Sequence, residues 1–138
     1  MLDKANRIIF YGSLMSAFNT LSRLGISQQL ELLGPCSIQG RLYDLGKYPA
    51  LLPARGKEDT VRAELYAIRG DDVLKVLDAF EDYRTDNETD SLYLRQSMCP
   101  DASEQAAWVY IYNRPVVESD FIACGCWMQH LKHKKALN

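Results

Sequence analysis

The segment Val61-Arg62-Ala63-Glu64-Leu65-Tyr66-Ala67-Ile68 carries only apolar residues at one set of alternate positions, Val61, Ala63, Leu65 and Ala67. Successive strand side chains point to opposite faces, so this is the pattern of a half-buried strand in a sheet covered on one side. Four further stretches read as strands, about 7–11, 38–44, 92–98 and 106–112. In Ala107-Trp108-Val109-Tyr110-Ile111-Tyr112 the same alternation separates aliphatic from aromatic residues and gives that strand an aromatic face.

Three helices are expected: one within 19–33, broken by Gly25; one over about 71–82; and one that starts near Ser119, a good N-cap, and runs to about 133. They do not alternate with the strands in a β-α-β rhythm. The expected class is therefore α+β, a mostly antiparallel sheet or small barrel with helices packed outside. With 138 residues, 47% of them hydrophobic, the chain is sized for a single domain over 1–138 that buries its core without cross-links. The polar connectors at 53–59 and 84–90 read as loops within it.

Charge narrows the function. Sixteen basic and 18 acidic residues give a net charge of −2, and the longest basic block is Lys132-His133-Lys134-Lys135, which suits a solvated helix end; a nucleic-acid surface is not expected. No run of 18 apolar residues exists, and Met1-Leu2-Asp3-Lys4 has no signal-sequence pattern, so no membrane partner and a cytoplasmic location are expected. Cys36, Cys99, Cys124 and Cys126 are then expected as free thiols. Cys124-Gly125-Cys126, read as part of the last helix, points its two thiols in different directions. With no second close pair, and with His130 and His133 out of reach of both, neither a structural zinc nor any other metal is expected.

Two features carry chemistry. The apolar run Ile8-Ile9-Phe10 feeds Tyr11-Gly12-Ser13-Leu14, so an extended strand is forced into a sharp turn whose amides lose their ladder partners. Gly12 lets a ligand approach the backbone, and the amides of Ser13 and Leu14 can form a small nest for an anion or oxyanion; a purely structural strand-Gly-Ser turn fits the same residues. The second feature is Glu81. On the helix at 71–82 the core-facing set is Val73, Leu74, Val76, Leu77 and Phe80, and Glu81 falls between Leu77 and Leu74, inside the apolar arc. A carboxyl carried there either pairs, with Arg41, Arg84 or Arg95 as candidates, swings out of a frayed last turn, or has its pKa raised by desolvation, as a general acid/base near pH 7 requires.

Taken in order, the blocks Ile9-Phe10-Tyr11-Gly12-Ser13-Leu14, Gly40-Arg41-Leu42-Tyr43-Asp44-Leu45-Gly46-Lys47-Tyr48-Pro49-Ala50, Val61-Arg62-Ala63-Glu64-Leu65-Tyr66 and Leu77-Asp78-Ala79-Phe80-Glu81-Asp82-Tyr83 resemble the γ-glutamylcyclotransferase-like superfamily. Tyr93-Leu94-Arg95, Ala107-Trp108-Val109-Tyr110 and Gly125-Cys126-Trp127 continue the resemblance over about 7–127. That superfamily includes avirulence-induced-gene-like proteins and γ-glutamylamine cyclotransferases. The resemblance implies a small mixed β-barrel flanked by helices, and an enzyme that releases 5-oxoproline and an amine or amino acid from a γ-glutamyl compound. It implies Glu81 as the general acid/base, the loop of Tyr11, Gly12, Ser13 and Leu14 as the substrate holder, Tyr110 as a substrate contact, and no cofactor.

Other residues stay open at this level. Tyr110 suits a barrel core equally well, and Arg95 suits a substrate carboxylate or a structural acid. Arg41, Tyr43 and Tyr48 read as structural. The segment between Glu81 and Tyr93 is longer and more acidic than the usual connector, fitting a solvated loop better than a lid, and Cys126 stands where relatives often carry an aspartate. The competing function is a non-catalytic binding module for a small carboxylated or amide-bearing metabolite. Cysteine-nucleophile chemistry ranks low, because no cysteine stands beside a histidine in a motif. The sequence leaves the oligomeric state open.

Overall fold

Three consecutive apolar residues, Ile8, Ile9 and Phe10, are all buried because their strand lies at the centre of the sheet with both faces covered. The computed structural model describes residues 6–137; the Met1-Leu2-Asp3-Lys4 segment lies outside them. This central strand is β1 (Arg7–Phe10), and the others are β2 (Leu30–Gln39), β3 (Arg41–Asp44), β4 (Pro49–Leu52), β5 (Thr60–Ile68), β6 (Tyr93–Met98) and β7 (Ala107–Tyr112). The helices are α1 (Thr20–Arg23), α2 (Val73–Phe80) and α3 (Trp127–Leu137).

The architecture is α+β with a mostly antiparallel sheet, ordered β2-β5-β1-β7-β6, in which only β1 and β7 run parallel. Strands β3 and β4 form a separate hairpin. The expected barrel therefore does not close among the described residues. Its seam is bridged by a side chain instead of a ladder: the Tyr93 hydroxyl of β6 donates to the Pro49 carbonyl of β4 at 2.9 Å. On the far side Phe121 bridges Tyr43, and the Ile122 amide donates to the Leu42 carbonyl at 2.8 Å.

Two helical expectations fail for local reasons. Within 19–33 only Thr20–Arg23 is α-helical, because Leu30–Gln39 pairs with β5 along its whole length. Pro35 offers no amide and disfavours helical geometry at Gly34, where the ladder bulges and φ reaches 142°. The helix expected from Ser119 begins at Trp127; Glu118–Asp120 make a single 3-10 turn. Gly125 stops propagation between them: its φ of 64° is left-handed, and a Cβ there would collide with the Thr60 carbonyl. Cys124 and Cys126 thus flank a turn rather than share a helix.

Helix α3 docks through the buried Trp127 and through His130 and Lys134, which reach Asp44 at 2.7 and 2.9 Å. Lys134 is therefore tied down within the basic tail. Burial alone would push the Asp44 carboxyl up, but the hydrogen bonds from His130 and Lys134 outweigh it and hold the carboxyl below its usual range. No described helix is long and apolar enough to cross a membrane.

Candidate active site

Helix α2 ends on a lock, and the lock sets Glu81. The Tyr83 amide donates to the Asp78 carbonyl at 2.8 Å and the Asp82 amide to the Ala79 carbonyl at 3.3 Å, the paired bonds of a Schellman motif. Asp82 takes the left-handed position at φ 56°, one of the residue types that tolerates it. Glu81 is consequently the C-cap, held by its own amide on the Leu77 carbonyl at 2.8 Å rather than frayed. Val73 and Leu77 of the apolar arc are fully buried, whereas Phe80, read from the sequence as core, is 45% exposed.

Glu81, Phe80 and the turn 11–14 line one cavity of about 170 Å3, together with Tyr48, Pro49, Tyr93 and Tyr110. Of the residues singled out in the sequence, Tyr11, Gly12, Ser13, Leu14, Glu81 and Tyr110 are on its wall, and Arg95 is not. Among the described residues the Glu81 carboxyl has no hydrogen-bond or ion-pair partner. Its three candidate arginines are engaged elsewhere, Arg41 with Asp59 at 3.1 Å, Arg84 with Asp82 at 3.4 Å and Arg95 with Asp78 at 2.8 Å. Desolvation pushes the carboxyl from its ordinary value near 4.5 up to about 8.

The tyrosines of the wall are committed. Tyr11 donates to the Tyr110 carbonyl at 2.6 Å, and Tyr110 donates to Asp78 Oδ1 at 2.7 Å. Burial first, and then the negative Asp78 or Glu81, raises the hydroxyls of Tyr11, Tyr93 and Tyr110 well above their usual pKa, so they stay protonated. Glu81 is left as the wall group that ionises near neutral pH.

The turn's rigidity has a source that the sequence reading missed. Glu64, paired with Phe10 across β1 and β5, accepts the Ser16 amide at 2.6 Å and its hydroxyl at 2.7 Å. The Met15 amide closes back on the Gly12 carbonyl at 3.0 Å, and no described group accepts from the Ser13 or Leu14 amides. The space at Gly12 is filled by protein: an added Cβ would lie 2.7 Å from Pro49 Cγ and 2.8 Å from Cδ. Gly12→Ala therefore displaces a cavity wall, and we expect about 1–2 kcal/mol of lost stability in urea unfolding together with weakened ligand binding.

Asp78 is a second residue the sequence reading passed over. It receives Arg95 Nε at 2.8 Å and Nη2 at 3.1 Å besides the Tyr110 hydroxyl. The available signal was Arg95 and Tyr110 facing each other across β6 and β7 in register, with an acid one turn before Glu81. Arg95 is thus held by a structural acid. Arg41 and Tyr43 are structural as expected, joined to Asp59 and Glu118. Tyr48 is different: it stands at the cavity, 45% exposed.

The acidic segment after Glu81 is exposed but laced. The Ser91 hydroxyl, fully buried, accepts the Arg84 amide at 2.7 Å and faces the Asn87 carbonyl at 3.0 Å; Asn113 Nδ2 donates to the Glu88 and Ser91 carbonyls, both at 2.9 Å. Ser91→Ala should cost about 1–2 kcal/mol and speed proteolysis within 84–90, read by limited digestion. All four cysteines are free, and no cluster of three or more metal-ligating side chains occurs among the described residues.

Residues 8–129 match the family model described as γ-glutamyl cyclotransferase, AIG2-like. The chain is 35% identical over 127 residues to the γ-glutamylcyclotransferase family protein YtfP of Escherichia coli, covering 91% of this chain and 99% of that one. Among solved structures it resembles an AIG2-like protein from Mus musculus, with a TM-score of 0.64 at 22% identity, over 82% of this chain and 80% of that one. It also resembles a uropathogenic E. coli-specific protein, TM-score 0.68 at 11% identity, over 93% and 96% of the two chains. At those identities the structural likeness speaks for the fold alone.

Proposed function

The chain belongs to the AIG2-like γ-glutamyl cyclotransferase family, and on that premise we propose that it cyclises a γ-glutamyl compound to 5-oxoproline, with Glu81 as general acid/base. The observation that carries this reading is one unpaired, desolvated carboxyl sharing a cavity with a turn whose Ser13 and Leu14 amides have no partner among the described residues.

The substrate's α-nitrogen arrives as an ammonium and gives its first proton to the Glu81 carboxylate. The freed amine attacks the γ-carbonyl carbon, forming the ring C–N bond, and the amides of Ser13 and Leu14 are the donors for the oxyanion that develops. Glu81 then passes its proton to the leaving nitrogen as the old C–N bond breaks. It takes the second proton from the ring nitrogen and releases it to solvent. Nucleophile and electrophile belong to one molecule, so the protein's main task is to fold the substrate into a reactive geometry.

We place the reaction in the cytoplasm, in keeping with four unpaired cysteines. The test is incubation with a panel of γ-glutamyl amides and amino acids, following 5-oxoproline. Release by the protein and its loss in Glu81→Gln support the reading; a folded protein that binds these compounds without turnover makes the site a binding module.

A further inference from the structure

Resting on that reading of the site, we infer that the leaving half of the substrate is an aryl or arylalkyl amine with no charged group besides the reacting nitrogen, selected by Phe80 and Tyr48 at the rim of the cavity, and not an amino acid or a diamine.

The argument starts from what the wall lacks. Among the described residues no lysine, arginine or histidine lines the cavity, and Glu81 is the one carboxylic acid on its wall. The hydroxyls of Tyr11, Tyr93 and Tyr110 are already donated to protein oxygens at 2.6, 2.9 and 2.7 Å. What remains for an anion is the Ser13 and Leu14 amides, with the Ser13 and Tyr48 hydroxyls beside them. A γ-glutamyl group brings one α-carboxylate and develops one oxyanion, and those amides can serve them. A leaving amino acid brings a second carboxylate to the rim, where no described lining residue is a cation to meet it and the apolar rings of Phe80 and Tyr48 face it instead.

Size and shape supply the positive half of the inference. About 170 Å3 is small beside the several hundred Å3 of drug-sized sites, so the cavity holds the glutamyl unit and the leaving half lies at the rim. Phe80 and Tyr48 both belong to the lining and both remain 45% exposed, two of the few large apolar side chains left uncovered. A ring laid against them covers exposed apolar surface and gains aromatic contact. A second ammonium would find no acid of its own on the wall, since Glu81 is engaged by the α-nitrogen.

The experiment compares kcat/KM for γ-glutamyl derivatives of phenethylamine, ethylamine, 1,4-diaminobutane and phenylalanine. The phenethylamide should exceed the ethylamide by about tenfold, from one buried ring, and the phenylalanine conjugate by about a hundredfold, from one unpaired carboxylate. Phe80→Ala and Tyr48→Ala should each shrink the phenethyl-to-ethyl ratio, mainly through KM. Equal use of the phenylalanine conjugate, preference for the diamine, or a ratio that survives the double variant Phe80→Ala/Tyr48→Ala overturns the inference. Calorimetric binding of the corresponding N-substituted glutaramates, which have no α-amine and cannot cyclise, separates the two readings. If nothing is turned over but N-phenethylglutaramate binds at least tenfold tighter than N-ethylglutaramate, the cyclisation reading fails and the specificity stands. No difference in binding overturns the specificity whatever the turnover.

Discussion

Glu81→Gln yields a protein that is catalytically silent and, above neutral pH, more stable than the original. Loss of a general acid/base removes about 10²–10⁴ of rate, and glutamine keeps the shape while losing the proton. The stability gain follows from linkage. Burial raises the folded-state pKa of Glu81 from near 4.5 to about 8, so between those values the folded protein holds a proton that the unfolded chain has released. Its favourable contribution is complete below pH 4.5 and is lost as pH climbs through 8. Urea unfolding of the original and the variant should therefore coincide near pH 4 and diverge toward pH 9, where the variant leads by about 3–5 kcal/mol. In the active protein, kcat/KM should rise with pH up to about 8, because the ionised carboxyl is the base. A variant that still turns over, or unfolding curves that stay parallel from pH 4 to 9, would remove Glu81 from this role.

How Glu81 comes to be singled out shows what the chain discloses by itself. Periodicity places it among Leu74 and Leu77, and the turn 11–14 is legible as a strand running into glycine, so both halves of the candidate site stand in the sequence. Their shared cavity does not: it depends on Pro49 and Tyr48, brought up by a hairpin whose second strand, Pro49–Leu52, is four residues long and too short to declare itself by alternation. Helix α2 was legible because its apolar spacing is regular; its locked end was not, because Asp82 replaces the glycine that usually marks a left-handed cap. The leucine-rich 30–33 stretch reads as helix until β5 claims it, a case of long-range pairing overriding local preference. The barrel suggested by resemblance fails at its seam for a related reason, since tyrosine hydroxyls leave no periodic trace of the partners they reach.

Asp78→Ala should be among the more damaging substitutions for the fold, although Asp78 does not line the cavity. Its carboxylate carries a bidentate bond from Arg95 and the Tyr110 hydroxyl, with the Arg95 and Asp78 side chains only 14% and 16% exposed. Alanine would leave a guanidinium over the rings of Trp108, at 4.5 Å, and Tyr83, at 5.5 Å, without a counter-charge, and a tyrosine hydroxyl without its acceptor. Stripping one partner from a largely buried pair costs about 3 kcal/mol, and Asp78→Asn, which keeps an oxygen for Tyr110, should cost about half of that. The effect should reach the cavity through Tyr110, whose carbonyl holds Tyr11 and so the approach to the turn 11–14. A double-mutant cycle with Arg95→Met tests the pairing by urea unfolding. If the two changes are coupled, the double variant recovers much of the loss seen in Asp78→Ala, because the stranded charge is gone; strict additivity would show that Asp78 and Arg95 contribute independently.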